Sequence, residues 1–288
     1  MHSLRLLFAP LVLFVALPSP GHSAAPERIV TLGAAVTETV FALGAGDQVI
    51  ARDTSSTYPE AARSLPDVGY FRTIGAEGVL AQRPTLILAA HGAGPPEQIA
   101  FLRSSTLPMH HFNAPPSVEA TLALITEIGA ALRREAEAAA LTANLSAQLA
   151  SAAALRAGHS APRALFLLGT PGGSAAQAAG DRTAAAAFIA LCGAENAAAG
   201  QPGFRTVSAE GVLGLAPDVI LVGIDPSSSA HTMPEWLAST PAGRSGRVHT
   251  LPLSHLAFGP RLGGAVEATT RLLYPAPPAP SVAAVVTP

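Results

Sequence analysis

The chain repeats itself, and the repeat limits its architecture more than any other feature. Residues Gly69 to Leu88 align without a gap on Pro202 to Leu221, and 11 of the 20 aligned positions are identical. The matches are Phe71/Phe204, Arg72/Arg205, Thr73/Thr206, Ala76/Ala209, Glu77/Glu210, Gly78/Gly211, Val79/Val212, Leu80/Leu213, Pro84/Pro217, Ile87/Ile220 and Leu88/Leu221. A weaker echo precedes each copy: Glu27 to Gly33 resembles Pro162 to Gly169, and helix-forming stretches ending in Ala42-Leu-Gly-Ala-Gly46 and Ala190-Leu-Cys-Gly-Ala194 follow. A duplication of this length implies two similar structural units. In both copies a short helix starting near Ala76 or Ala209 must stop before Pro84 or Pro217, since proline cannot continue the hydrogen-bond ladder, and an apolar strand follows. Each unit is therefore expected to open as strand, turn, helix. Strands alternating with helices predict βαβ units and mainly parallel sheets.

Between the copies, Ser117 to Ala157 is rich in Ala, Leu, Glu, Gln and Arg and contains no proline, which predicts helix. Gly129 marks an expected break within it. The part from about Arg134 to Arg156 would form a rod of about 35 Å at 1.5 Å per residue, long enough to join two lobes. A helical hairpin packed inside one domain is the alternative. The linking reading divides the chain into an N-terminal lobe over 25–133, a linking helix over 134–158 and a C-terminal lobe over 159–274. Residues 275–288, rich in Pro and Ala, form an expected unpacked tail. A helix satisfies its own backbone and makes a poor hinge, so only modest lobe motion is expected.

The N-terminus has Arg5, an apolar run from Leu6 to Leu17, and then a small, turn-prone segment, the order of a secretory signal peptide over 1–24. The 12-residue run is too short for a bilayer core that needs about 20 helical residues. Cleavage is expected near Ser23 or Ala24, an uncleaved anchor being the alternative. No later segment reads as membrane-spanning. No Cys stands at the cleavage region to take a lipid, so a free periplasmic monomer is expected. With 12% charged residues and a net charge of −2, nothing points to nucleic acid. Cys192 is the single cysteine, which excludes an internal disulfide and reads as a buried thiol.

These segments resemble the periplasmic binding proteins whose lobes are joined by a single helix, the receptors for vitamin B12, siderophores, haem and transition metals. The resemblance runs from Arg28 to Tyr274. Its carriers are Arg28-Ile-Val-Thr-Leu-Gly33, Thr37-Glu38, Ala42-Leu-Gly44, Asp53-Thr-Ser55, Tyr58-Pro59, Leu65-Pro-Asp-Val-Gly-Tyr70, Ala76-Glu-Gly-Val-Leu80 and Phe258-Gly-Pro-Arg261. Within that class the Val-Gly-Tyr-x-Arg segment is most similar to the haem receptors of haem ABC importers. The resemblance implies an α/β fold of two Rossmann-like lobes, haem as the transported ligand and an importer permease dimer as partner. It makes Tyr70 the axial ligand to ferric iron. A phenolate is a hard oxygen donor, and tyrosinate ligation of haem is established chemistry. Arg72, two residues on and on the same side if the segment is extended, would favour the phenolate. The residues alone also allow a half-buried Tyr beside a loop Arg. The second copy places Gly203 opposite Tyr70, so a single phenol is involved.

Some members of the family supply a second iron ligand, a His from the loop after the first strand of the second lobe. Here that loop reads Gly169-Thr-Pro-Gly-Gly-Ser174. Five-coordinate iron or another sixth ligand is expected. His91 follows the strand Thr85 to Ala90, where ligands of open α/β sheets gather, and His231 sits in a polar loop of the second lobe; an ordinary surface His is the favoured reading of each, and a haem contact the alternative. His110, His111, His249 and His255 are not candidates. Phe71, Leu256 and Phe258 are expected to line an apolar slot, with Arg261 near a propionate. Glu77 and Glu210, one per lobe, match the acids that dock such receptors on the permease, and helix capping is the alternative.

Other functions fit less well. No His/His/Glu set supports a zinc or manganese receptor. No nucleophile elbow, phosphate loop or dinucleotide fingerprint supports an enzyme, and Asp53 and Ser55 with the scattered His would make a hydrolytic site only by chance. A siderophore or corrinoid receptor of the same class is the main alternative.

Overall fold

The computed structural model describes residues 27–169, 176–224 and 235–275. The expected leader, His231, the loop 170–174 and the tail beyond Pro275 lie outside the described residues.

The N-terminal lobe contains β1 (Ile29–Leu32), α1 (Ala34–Ala42), β2 (Val49–Arg52), α2 (Glu60–Arg63), α3 (Ala76–Ala81), β3 (Leu86–Ala89), α4 (Pro96–Ser104) and β4 (Met109–His111). Its sheet is wholly parallel, in the order β2-β1-β3-β4. β1 and β3 are buried on both faces, which is why Ile-Val-Thr-Leu and Leu-Ile-Leu-Ala read as continuous apolar runs rather than alternating ones.

Two helices follow, α5 (Val118–Ala131) and α6 (Glu135–Leu155). The break falls at 132–134, where Arg133 takes φ 55°, and not at Gly129. Gly129 stays helical and buried because α6 folds back onto it: a Cβ there would lie 2.5 Å from Cβ of Ala138. The 21 residues of α6 run about 31 Å at 1.5 Å per residue, and the helix links the lobes while packing on α5 and α10 (Leu262–Leu273). By length and composition α6 could cross a membrane, contrary to the sequence expectation. Its apolar character comes largely from alanine, and Ala138, Leu145 and Ala152 are its buried contacts with the protein.

The C-terminal lobe continues with β5 (Arg163–Gly169), β6 (Ala176–Ala179), α7 (Ala184–Leu191), β7 (Glu195–Asn196), β8 (Phe204–Val207), α8 (Ala209–Leu215), β9 (Val219–Ile224), α9 (Pro241–Arg244), β10 (Val248–Pro252) and α10. Its sheet runs β10-β9-β5-β6-β8, with β7 beside β5. β6 is antiparallel to both β5 and β8, so this lobe opens strand, strand, helix, unlike the strand, turn, helix opening expected. The extra strand also splits the duplication. Phe204-Arg-Thr is a strand because β6 pairs with it, whereas Phe71-Arg-Thr, with no such neighbour, curls into a 3-10 turn in which Thr73 N–H donates to Tyr70 C=O at 2.8 Å. Tertiary partners decide strand formation more than local propensity does. Cys192 is fully buried, and burial pushes its thiol up to about 12.

Candidate functional site

The carboxyl ends of β1 and β3 and the loop after β2 form one wall of a cleft between the lobes. Gly33, at φ 108°, lets the end of β1 lie against Ala90, whose Cβ would be 2.5 Å from a Cβ at position 33. The loop after β2 is held by Asp53, which is completely buried. Its Oδ1 accepts from Gly33 N–H at 2.7 Å and from the Ser56 hydroxyl, and its Oδ2 accepts from Ser55 N–H at 2.9 Å and from the Ser55 hydroxyl. Thr37 Oγ1 donates to Thr31 at 2.8 Å and lies 2.7 Å from Ser56 Oγ. All the acceptor capacity of Asp53 is spent on local donors, so it organises the loop rather than serving as a base. Asp53→Ala would orphan several buried donors at about 1–3 kcal/mol each. A melting temperature lower by roughly 10 °C is expected in a thermal scan, and an unchanged midpoint would contradict this role.

The cleft holds about 790 Å³, within the roughly 300–1,000 Å³ of small-molecule sites. Tyr70, Phe71, Arg72 and His91 line it from the N-terminal lobe and Leu256, Phe258 and Arg261 from the C-terminal lobe. The structure thus brings together every expected pocket residue among those described. Tyr70 is 44% exposed, its ring edge-on to Phe71 at 5.1 Å. Arg72 departs from expectation: in a turn with three residues per revolution, positions two apart do not share a side. Its guanidinium lies 4.8 Å from the Phe71 ring centroid and against Gly92, and makes no hydrogen bond to Tyr70. Phe258 is buried in a left-handed conformation, φ 52°. Arg261 is already engaged, giving two hydrogen bonds to Glu38, and its Cζ sits 3.8 Å from the Tyr58 ring centroid.

Sequence reasoning did not single out Tyr58, Arg63 and Arg182, which also line the cleft. Tyr58 had a signal in the Tyr58-Pro59 motif; Arg63 and Arg182 had none. The described lining includes four arginines and His91 but no Asp or Glu, so the site favours an anion. His110, His111, His249 and His255 do not line it. Burial holds the imidazoles of His111, His249 and His255 below the usual range. Among the described residues no three His, Cys, Asp or Glu cluster as a metal site.

Glu77 and Glu210 stand exposed in the first turns of α3 and α8. The hydrogen-bonding caps there are other groups: Gln98 Oε1 accepts from Ala76 N–H at 2.9 Å, and Ser208 Oγ accepts from Gly211 N–H at 3.1 Å. Neither Glu forms an ion pair among the described residues.

Residues 29–253 match the periplasmic binding protein family. The chain is 28% identical over 217 residues to the vitamin B12-binding protein of Pectobacterium carotovorum subsp. carotovorum, covering 74% of this chain and 77% of that protein. Among solved structures it is similar to the periplasmic haem-binding protein BhuT in complex with two haems, at 38% identity and a TM-score of 0.78, covering 86% of this chain and 98% of the other. The periplasmic haem-binding protein RhuT from Roseiflexus sp. RS-1, in apo form, matches with the same identity, coverage and TM-score.

Proposed function

The chain belongs to the periplasmic binding protein family, and from that premise we propose that it is an exported receptor that captures ferric haem between its lobes and delivers it to an ABC importer. The family is one of binding proteins, not enzymes. The observation that carries the haem reading is the chemistry of the cleft: an exposed phenol, Phe and Leu walls, and four arginines with no carboxylate among the described lining residues. Ferric haem presents a flat apolar ring, two carboxylates and an iron that takes a hard oxygen donor. Tyr70 is the proposed axial ligand, with Arg72 steadying the phenol's neighbour Phe71. The names of BhuT and RhuT support the same ligand. Residues 1–24 act as the export leader in this reading, and Glu77 and Glu210 as the permease contacts.

The curated relatives named for vitamin B12 favour a second reading, a corrinoid. Cobalamin carries neutral amides around its ring and a single phosphodiester, so it offers an arginine-lined cleft fewer anionic groups than the two carboxylates of haem. Titration with haemin and with cyanocobalamin separates the two. The expected result is uptake of about one equivalent of haemin with a tyrosinate charge-transfer band and no retention of cobalamin on gel filtration. Retention of cobalamin with no haemin band would overturn the haem reading.

A further inference from the structure

We propose that Glu38, which does not line the cleft, is the positioning residue that sets Arg261 to receive a ligand carboxylate; this rests on the haem reading. Glu38 lies on α1 of the N-terminal lobe and is 4% exposed, while its partner is 223 residues away at the start of α10 in the other lobe. Glu38 Oε2 accepts from Arg261 Nε at 2.8 Å and Oε1 from Nη2 at 2.6 Å. That side-on pairing takes two of the five guanidinium N–H donors and leaves Nη1 and one hydrogen of Nη2. The Tyr58 ring, 3.8 Å from Cζ, fixes the plane of the group. Arg261 itself lines the cleft, so the guanidinium is held on one edge and one face while the remaining donors serve the ligand.

The backbone carrying Arg261 is anchored both to α5 and to the helix of Glu38. Phe258 C=O accepts from Thr121 Oγ1 of α5 at 3.1 Å. Gly259 passes so close to α1 that a Cβ there would lie 3.1 Å from Cα of Ala35, three residues before Glu38. Burial alone pushes the Glu38 carboxyl up, and the Arg261 charge and hydrogen bonds oppose this. A buried carboxylate is costly unless a cation meets it at this geometry. A pair that merely joined the lobes could use any cation. Bidentate seating plus an aromatic face specifies the orientation of one guanidinium, a property that matters to a planar carboxylate.

The test compares haemin with haemin dimethyl ester, which keeps the ring and iron but lacks both carboxylates. Glu38→Gln is expected to speed haemin dissociation by about 10-fold or more and to leave the ester within about two-fold of wild type. Adding Glu38→Gln to Arg261→Gln should cause no further loss, since both act through one contact. Equal weakening of both ligands would reduce Glu38 to a lobe fastener and overturn the inference, as would no weakening of either. Should Glu38→Gln fail to fold, Arg261→Lys keeps the charge without the fork; the same selective loss is expected, and loss on both ligands alike would overturn the inference. Wild-type protein that takes up no haemin would overturn the haem reading itself.

Discussion

Tyr70→Phe is expected to abolish the charge-transfer band of the haemin complex and to weaken haemin binding by at least about 100-fold. Groups that only support a metal ligand cost 10- to 100-fold when removed, so loss of the proposed iron ligand itself should reach or exceed the upper end. The substitution is unusually clean. Tyr70 is 44% exposed, its hydroxyl makes no hydrogen bond among the described residues, and a Phe ring can keep the edge contact with Phe71. Circular dichroism and melting temperature should therefore match wild type while the spectrum changes. Tyr58, the other phenol in the cleft, is the internal control: its face lies under Arg261, so Tyr58→Phe should leave the band in place. If the band survives in Tyr70→Phe and vanishes in Tyr58→Phe, the iron ligand has been misassigned. Arg72→Ala should weaken binding less, because its guanidinium packs on Phe71 and against Gly92 and makes no hydrogen bond to the phenol.

The duplication made the βαβ architecture legible, because Pro84 and Pro217 end helices for local reasons and the strands beyond them are apolar throughout. It misled where a long-range partner intervenes. Identical Phe-Arg-Thr triplets take different backbones because β6 exists in one lobe only, and no local pattern announces a strand whose role is to pair. Gly129 departs from expectation for a similar reason: a glycine in a helix signals a break when seen alone, and here it makes room for Ala138 on the next helix. At the site, residues within recognisable motifs could be named in advance, and Tyr70, Phe71, Arg72, His91, Leu256, Phe258 and Arg261 do meet in one cleft. Their mutual orientations were not legible. That Arg261 is shared with Glu38 follows from the packing of two lobes, and neither residue carries a local sign of the other.

Reversing both lobe acids, Glu77→Arg with Glu210→Arg, should abolish haem uptake through the importer while leaving the receptor folded and loaded. Both carboxylates are exposed and occupy equivalent places in the two copies, and neither lines the cleft. Their helix ends are capped by Gln98 and Ser208, so the loss of fold stability is limited to the helix-dipole contribution of about 0.3–1 kcal/mol per site. In the proposed docking each acid would face an arginine on one permease subunit, and reversal would then set like charges face to face. Such a juxtaposition costs several kcal/mol, and each 1.4 kcal/mol is about tenfold in affinity. Two sites acting on one docked complex should bring transport to background, with each single reversal intermediate. The measurement is growth or labelled-haem uptake in cells that depend on this receptor, run beside a haemin titration of the purified double variant. Normal uptake would leave Glu77 and Glu210 as residues that favour their helix N-termini and nothing more. Lost uptake with lost haemin binding would place the defect in the receptor and contradict a docking role.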